Sequence, residues 1–390
     1  MDTAARLDPL CRPVWMELDL DCLAHNLSEV RRAIGRYCRI IAVAKADAYG
    51  HGVAEIVPAL FKAGADVVAL GDLNEAISLR QHGHMAPLVV FGSYLPEQVA
   101  EAFVEHALTP TVWDVEGARA FSWAAREPME VYLKIDTGFH RLGVLTEEAI
   151  GVARQIAALP KLRIGCLYTH FADPIGGPEF TQEQFARFTA AVDAIRAAGI
   201  DVPFACAASS AVVSTRPEMY LNAVDPGRLL YGFYYPSDPP VELDLRPVLR
   251  AVKSRVIQVK WVEPGSSVGY ERTYRTVRRT RLGILPMGWS DGLSRHGNTT
   301  PTALVRGQRC PMIGAINIEH SIVDLTDVEG AQAGDEVVLI GKQGGETITL
   351  DEHARWAGVS EMEVVVRFGR TVPRVYIHGG ANTFVKSNVA

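Results

Sequence analysis

Several features that would place this chain in a common class of protein are missing from its 390 residues. Its six cysteines include no Cys-x-x-Cys pair, so we expect reduced thiols rather than a disulfide framework or a metal site. No Gly-x-Gly-x-x-Gly follows an apolar run, which argues against a dinucleotide-binding sheet. No apolar run is long enough to span a bilayer.

Positive charge is also the scarcer of the two signs. The net charge is −6, and no basic run carries interleaved aromatic residues. This balance favours solubility and argues against a nucleic-acid-binding surface, so we expect no nucleic-acid partner. The amino-terminal segment MDTAARLDPLCRPVW contains acidic residues and no apolar core, so we expect neither a secretion signal nor a membrane anchor. With reduced cysteines, these features predict a cytoplasmic protein.

What the chain does contain, from Arg39 to about Gly232, is an apolar strand followed by an amphipathic helix, repeated several times. The predicted strands are IIAVAK, DVVAL, PLVVFG, LTPTV, VYLKID, RIGCLYTH, VPFACAAS and NAVDPGRLLYG. Eight strands that alternate with helices predict an α/β fold of the TIM-like (β/α)8 barrel type. A doubly wound sheet is the competing fold, and it lacks its glycine motif here.

The length favours two domains, and the character of the sequence changes after Tyr235. Alternating or β-branched runs follow, punctuated by glycine and proline, and they include RTRLGILPM, TALVRG, EVVLIG, VVVRFG and RVYIHG. We therefore predict a barrel domain over residues 1–245 and a carboxy-terminal β-domain over residues 246–390. The opening strand, at about residues 13–20, is a candidate for pairing with the second domain.

A lysine stands at the end of the first barrel strand, where the apolar run Ile40 to Ala44 stops at Lys45. Burial of an ammonium group lowers its pKa, and a neutral amine can attack a carbonyl carbon. The usual aldehyde partner of such a lysine is pyridoxal 5′-phosphate (PLP). A lysine whose head simply lies in water is the alternative.

Other polar residues end later strands, where a (β/α)8 barrel places its functional groups. They are Lys134 with Asp136, His170, Ser209 with Ser210, and Asp225. Three of these residues have an alternative structural explanation. His170 could be a core histidine, Ser210 could be a helix N-cap, and Asp225 could open an ordinary Asp-Pro-Gly turn. Several polar strand ends within one barrel nevertheless favour a site.

The segment AVAKADAYGHG resembles the PLP-lysine segment of the alanine racemase family, which comprises fold-type III PLP-dependent racemases. Further segments resemble the family in its own order, namely VYLKIDTGFHRLGV, THFADP, ASSA, DPGRLLYG, VGYERTY and VPRVY. The resemblance implies a PLP-dependent amino-acid racemase that acts on alanine or a related amino acid. It also implies a homodimer with shared active sites and no metal.

The resemblance further assigns roles to individual residues. Lys45 and Tyr270 become the two catalytic bases, one on each face of the substrate carbon, with Tyr270 reaching the neighbouring subunit's site. Arg141 would hold the substrate carboxylate and Lys134 would orient that arginine, while Ile318 stands where a family methionine offers its amide to the substrate. The cofactor-binding set implied is Lys45, Tyr49, His170, Ser210, Asp225, Gly227 and Arg228.

One departure from the family concerns the cofactor ring. Asp225 stands where the family has an arginine against the pyridine nitrogen, Arg228 follows three residues later, and Cys206 replaces a histidine. We expect the Asp225 carboxylate to reach either the ring nitrogen or His170. Asp225 near the pyridine ring also favours an alternative function, namely a PLP-dependent lyase, decarboxylase or aminotransferase-like activity on the same scaffold. A non-catalytic PLP-binding regulator ranks last, because such proteins usually lack the second domain.

Overall fold

The computed structural model describes residues 12–234, 239–295, 297 and 300–386. The chain divides into two compact units. The first comprises Cys22–Ala48 and Val53–Arg246, and the second comprises Met1–Asp21, Tyr49–Gly52 and Pro247–Ala390. The amino-terminal segment in which we expect no secretion signal or anchor lies mostly outside the described residues, and so does Cys11.

The strands follow one another in this order: β1 (Val14–Asp19), β2 (Arg39–Val43), β3 (Val67–Leu70), β4 (Leu88–Val90), β5 (Thr109–Val112), β6 (Met129–Asp136), β7 (Val144–Leu145), β8 (Leu162–Tyr168), β9 (Phe204–Ser209), β10 (Ala223–Asp225), β11 (Leu249–Arg255), β12 (Gln258–Val262), β13 (Ser267–Val268), β14 (Tyr274–Arg275), β15 (Thr280–Leu285), β16 (Thr302–Val305), β17 (Gln308–Pro311), β18 (Ser321–Asp324), β19 (Glu336–Gln343), β20 (Glu346–Ile348), β21 (Arg374–His378) and β22 (Ala381–Lys386).

The α-helices of the first unit and its amino-terminal border are Leu20–Ile34, Val53–Lys62, Leu73–Gln81, Pro96–Glu105, Val115–Ala124, Ala149–Ala157, Pro178–Ala197 and Ser210–Thr215. Leu350–Ala357 and Glu361–Gly369 are helices of the second unit. Short 3₁₀ segments lie at Pro217–Met219, Arg228–Tyr231, Tyr270–Arg272 and Trp289–Asp291.

The first unit is built on a closed parallel barrel. Its strands pair in the order β5, β4, β3, β2, β10, β9, β8 and β6, and the pairing of β5 with β6 closes the ring. The eight predicted strands correspond to these eight elements, so the predicted (β/α)8 class is confirmed. The short strand β7 adds to β6 outside the ring.

The barrel forms because its strands are apolar on both faces and its helices on one. Every residue of β3 is buried, as parallel strands covered by helices require. Several helices begin at a capping residue, such as Asp72, whose carboxylate accepts a hydrogen bond from the amide of Asn74, and Asp114, which accepts from Gly117. These caps fix where each strand-to-helix loop ends.

The second unit is rich in β-structure, which confirms the predicted β-rich carboxy-terminal part. Its largest sheet runs β17, β16, β19, β11, β1, β21 and β22, with β20 added to β19. The opening strand β1 pairs antiparallel with β11 and parallel with β21. A second sheet pairs β12, β15 and β18, and a small ribbon pairs β13 with β14.

One segment of this unit differs from the sequence-based prediction. The run VVVRFG, expected as a strand, lies in the helix Glu361–Gly369. The hydroxyl of Ser360 accepts a hydrogen bond from the amide of Glu363 at 3.3 Å, which is the start signal of a helix. This local cap overrides the β-propensity of three consecutive valines.

Three further observations concern the described part of the chain. Its cysteines, Cys22, Cys38, Cys166, Cys206 and Cys310, are buried, and no disulfide bond joins any two of them. Within the same residues, no group of three or more His, Cys, Asp or Glu side chains is placed to hold a metal ion. No helix there combines the length and the hydropathy needed to cross a bilayer.

Candidate active site

Lys45 lies two residues after the end of β2 and begins a turn of unusual hand. The residues Ala46, Asp47, Ala48 and Tyr49 all have positive φ, between 53° and 56°. A left-handed conformation costs an L-residue roughly 1–2 kcal/mol, so four in succession must be held by other contacts. Residues 45–49 include no glycine, so the sequence gives no signal for this left-handed turn.

The contacts that hold the turn are hydrogen bonds at its core. The amide of Ala48 donates to the carbonyl of Ala44 at 3.1 Å, and the amide of Asp47 donates to Oε1 of Glu75 at 2.7 Å. The carboxylate of Asp47 in turn accepts from the amide of Val53 at 2.7 Å. Glu75 therefore belongs to the site as a support for the segment that carries Lys45, a role that sequence reasoning missed.

The side chain of Lys45 is open to solvent, which corrects the expectation of a buried lysine. Enough protein nevertheless surrounds its ammonium group for burial to lower the pKa of Lys45. The positive charge of Arg141 lowers this pKa further, and the negative charge of Asp225 opposes both effects. These influences bring Lys45 closer to the neutral form that a nucleophile and a base need.

Lys134 is the second lysine of the site, and unlike Lys45 it is buried, near the end of β6. Its Nζ lies 4.3 Å from the centroid of the Tyr168 ring, in a cation–π contact. Burial lowers the pKa of Lys134 to about 8, with Asp225 opposing and Arg141 adding to the shift. Lys134 therefore loses its proton more readily than a lysine in water, although most of it is still charged at pH 7.

Arg141 lies in a loop that Asp136 organises. Oδ1 of Asp136 accepts hydrogen bonds from the amides of Gly138 at 2.9 Å, Phe139 at 2.9 Å and His140 at 3.1 Å. Burial works to raise the pKa of this carboxylate, but the three amide donors prevail and lower it. At the far end of the loop, a Cβ on Gly143 would come within 2.7 Å of the Asp136 amide nitrogen, so only glycine fits there.

Phe139 links Arg141 to His170. The guanidinium carbon of Arg141 lies 4.4 Å from the Phe139 ring centroid, and that ring lies 5.6 Å from the His170 ring. Burial lowers the pKa of His170 to about 3, and the positive charges of Lys134, Arg141 and Lys45 act in the same direction. His170 is therefore neutral at physiological pH.

Backbone donors gather around the hydroxyl of Ser210 at the end of β9. Its Oγ accepts hydrogen bonds from the amides of Gly227 at 2.8 Å and Leu229 at 3.3 Å. These amides open the 3₁₀ segment Arg228–Tyr231. A hydroxyl with clustered backbone N–H groups is the chemistry that binds a phosphate.

Asp225 ends β10 and is buried, with 7% of its surface exposed. Burial raises its pKa to about 7, against the opposing charges of Lys134 and Lys45. The charges that act on His170 are those of Lys134, Arg141 and Lys45, all positive, and the Asp225 carboxylate does not raise the His170 pKa. The expected possibility of a raised His170 pKa is therefore not found.

The first unit thus brings together the predicted residues Lys45, Lys134, Arg141, His170 and Asp225, which influence one another electrostatically. Ser210 and Gly227 form the neighbouring hydroxyl and amide group, with Arg228 half-buried beside them. The predicted residues Tyr49, Tyr270 and Ile318 lie in the second unit.

Within the second unit, Tyr270 and Ile318 are strongly exposed, at 63% and 52%. The turn of Tyr270 packs close to the segment that leads to Ile318, because a Cβ on Gly269 would lie 3.2 Å from the amide nitrogen of Ala315. The carbonyl of Ile318 also accepts a hydrogen bond from the amide of Ser290, next to Trp289, at 3.0 Å. A tyrosine hydroxyl and apolar groups therefore share one open face of this unit.

Comparison with known proteins bears on what this arrangement is for. The model "Alanine racemase, N-terminal domain" matches residues 18–235, and "Alanine racemase, C-terminal domain" matches residues 249–376. The chain belongs to the alanine racemase family. The prediction of a racemase enzyme of this family is confirmed.

Individual relatives agree in sequence and in fold. An alanine racemase of Desulfovibrio desulfuricans is 36% identical over 370 residues, which cover 94% of this chain and 98% of the relative. The solved alanine racemase of Clostridium difficile 630 has a TM-score of 0.91 at 30% identity, covering 98% of this chain and all of that one. A histidine racemase of Leuconostoc mesenteroides subsp. sake has a TM-score of 0.83 at 25% identity, covering 95% and 99%.

Sequence reasoning missed two features of the candidate site. One is Glu75, which lies in the helix Leu73–Gln81 and far along the chain from the turn it supports. The other is Phe139, whose ring contacts both Arg141 and His170. The spacing of Phe139 and Arg141 along the loop could have suggested a contact, but no pattern points to Glu75.

Proposed function

We propose that this protein is a PLP-dependent racemase that interconverts the L- and D-forms of alanine or a related amino acid. The observation that carries the proposal is Lys45 with a lowered pKa in the same unit as a group of phosphate-binding donors. We further propose that it works as a cytoplasmic homodimer in which each active site takes a residue from both subunits.

The residues present fit PLP by the chemistry of their donors. The amine of Lys45 would bond the aldehyde carbon, and the Ser210 hydroxyl with the amides of Gly227 and Leu229 would hold the phosphate. His170, Tyr49, Asp225 and Arg228 complete the proposed cofactor set. When bound, PLP withdraws electrons from the substrate and so makes its Cα–H acidic.

Two bases are needed, because racemization removes a proton from one face of the α-carbon and returns one to the other. The lowered pKa of Lys45 supports its role as the base on one face. On the other face, we propose Tyr270 of a second copy of the chain. Its strong exposure in the second unit supports a role at a subunit interface.

The substrate is proposed to bind through its carboxylate to Arg141. A guanidinium group offers two parallel N–H donors to a carboxylate, and its contact with Phe139 limits the directions it can take. Lys134 shares the electrostatic environment of Arg141 and is proposed as its orienting residue. Ile318 is proposed to line the substrate side through its backbone amide.

A second candidate function uses the same lysine and cofactor for aminotransferase-like, lyase or decarboxylase chemistry. It is favoured by Asp225, a buried carboxyl group in the site that a two-base proton transfer does not need. Decarboxylation is the weakest of these, since Arg141 would hold the carboxylate that must leave.

The experiment that decides between these functions is chirally resolved product analysis. The purified protein is incubated with the L-form of alanine, serine, histidine, lysine and glutamate, one at a time. Appearance of the D-form without net loss of amino acid supports racemization, whereas 2-oxo acid, amine or aldehyde supports the second candidate. A Lys45→Ala variant should show neither, and Lys62→Ala serves as the control.

The attachment point is tested by borohydride reduction followed by peptide mapping. We expect the pyridoxyl label on Lys45. Lys134 is the informative competitor because its pKa is also lowered, to about 8. A label on Lys134 or elsewhere, with Lys45 unmodified, would contradict the assignment.

A further inference from the structure

One oxygen of the Asp225 side chain has no hydrogen-bond partner within the described part of the chain. This atom, Oδ1, is fully buried. A buried polar atom without a partner is costly, and such atoms in native proteins usually await a ligand, an ion or a water molecule. The carboxyl group therefore has one unused acceptor position.

The position of Asp225 in the barrel relates it to both ends of the proposed cofactor site. Asp225 pairs with Ser209 on β9, and the next residue, Ser210, carries the hydroxyl of the phosphate-binding group. On its other side β10 pairs with β2, the strand that leads to Lys45, and the amide of Val43 donates to the carbonyl of Pro226 at 2.9 Å. Asp225 thus ends β10, which lies between β9, the strand that leads to Ser210, and β2, the strand that leads to Lys45.

The cations near Asp225 favour its ionised carboxylate, and a further hydrogen-bond donor to Oδ1 would favour that charged form more strongly. The positive charges of Lys134 and Lys45 lower its pKa, against the larger effect of burial. The other titratable neighbours, Cys166 and Tyr168, are buried, and burial keeps both neutral. A hydrogen-bond donor that carries a positive charge would supply what Oδ1 lacks.

His170 does not supply that donor, because burial and three neighbouring cations keep it neutral. In pyridoxal compounds the ring nitrogen lies across the ring from the carbon that bears the aldehyde. A protonated pyridine nitrogen is both a donor and a cation, and a carboxylate is a common partner for it in PLP enzymes.

We infer that Asp225 is the hydrogen-bond partner of the PLP ring nitrogen in this protein and keeps that nitrogen protonated. The inference rests on the proposed function, since it requires PLP at Lys45.

The first test uses the unaltered holoenzyme loaded with PLP labelled with ¹⁵N in the ring. We expect the ¹⁵N chemical shift of a protonated pyridine at pH 7.5, together with coupling to its hydrogen. The shift of an unprotonated pyridine in the holoenzyme would overturn the inference.

The second test compares PLP with 1-deaza-PLP, in which a C–H group replaces the ring nitrogen. The protein is stripped of cofactor and the affinity of each compound is measured by competition. We expect the unaltered protein to prefer PLP by roughly 10- to 100-fold, the range of a hydrogen bond to a charged group. In Asp225→Ala this preference should fall to about threefold or less.

The controls separate the possible failures. Asp193→Ala, on the exposed side of the helix Pro178–Ala197, should keep the full preference for PLP. If Asp225→Ala does not fold, Asp225→Asn preserves the shape and should also lose most of the preference. If Asp225→Ala and Asp225→Asn keep the full preference for PLP, the inference about Asp225 is wrong, whereas the proposed function is unaffected. Failure of borohydride to fix PLP on Lys45 overturns the proposed function as well.

Discussion

The backbone amide of Asp47 donates a hydrogen bond to Oε1 of Glu75, with 2.7 Å between the two atoms. This bond joins the left-handed turn after Lys45 to a helix of the next barrel repeat. The carboxyl group of Glu75 is largely removed from water, and burial raises its pKa to about 7. The geometry of Lys45 therefore depends on a side chain outside the motif that contains it.

Removal of the Glu75 acceptor should loosen this turn. We expect Glu75→Ala to lower the free energy of unfolding by about 1–3 kcal/mol, because the Asp47 amide loses its partner. Glu75→Gln keeps an acceptor oxygen and should lose less. Chemical denaturation measures both, with the exposed Glu97→Ala as a control expected within about 0.5 kcal/mol of the parent. Equal stability of all three variants would show that the turn holds itself.

Substitution of Arg141 should weaken substrate binding more than it slows the chemical step. Arg141→Lys replaces a planar fork by a single charged point, so we expect KM to rise roughly tenfold or more. Phe139→Leu removes only the ring beneath the guanidinium group, so KM should rise by roughly two- to fivefold with little change in kcat. Steady-state kinetics with Arg154→Lys as the control measures both. A normal KM in Arg141→Lys would rule out the proposed carboxylate contact.

Loss of the Tyr270 hydroxyl should reduce racemization in both directions. We expect Tyr270→Phe to be slower by roughly 10²-fold or more, since a proton-transfer group is removed. The exposed Tyr37→Phe is the matched control and should retain the parent rate. Near-normal rates in Tyr270→Phe would end the two-base scheme.

Mixing of two inactive variants tests whether the site is shared between subunits. A hybrid dimer of Lys45→Ala with Tyr270→Phe has one site with both bases intact, if Tyr270 acts in the partner's site. Random reassociation should therefore restore about a quarter of the parent activity, since half the dimers are hybrids with one good site each. No recovery, with hybrid formation verified by mass spectrometry, would contradict the shared site.

Acid should destabilise the protein partly through His170. The pKa of His170 falls from 6.5 to about 3 on folding, so between these values the unfolded chain binds a proton that the folded protein does not. The stability that neutral His170 contributes is thus complete above pH 6.5 and is lost as the pH falls toward 3. Between pH 7.5 and 5, His170→Asn should lose less stability than the parent, by about 2 kcal/mol at most. Denaturation midpoints measure this difference, and the exposed His82→Asn should behave as the parent does.

The barrel could be predicted because its signals are local and repeated. Runs such as DVVAL are wholly apolar since both faces of a covered parallel strand are buried, and each is followed by a helix of period 3.6. The helix Glu361–Gly369 differs from the prediction of a strand because its three valines favour β-structure, whereas the Ser360 and Glu363 cap starts a helix. Propensity therefore misled where a cap decided the structure.

The candidate site was predictable in its residues but not in its environment. Strand-end position and family resemblance pointed to Lys45, Lys134 and Asp225. Solvent exposure of Lys45, the cation–π contact of Lys134 and the unused oxygen of Asp225 depend on side chains that meet only in the folded barrel. No spacing along one strand encodes such contacts.

The loop between Asp136 and Gly143 has a consequence for affinity. Three amide hydrogen bonds to one carboxylate oxygen fix its first half, and the close approach at Gly143 fixes its end. The conformational entropy of the residues that carry Arg141 is therefore lost when the chain folds and is not lost again when a carboxylate binds. In the proposed contact with Arg141, such preorganisation would let a substrate as small as a single amino acid, with few atoms to contribute to binding, use its carboxylate almost in full.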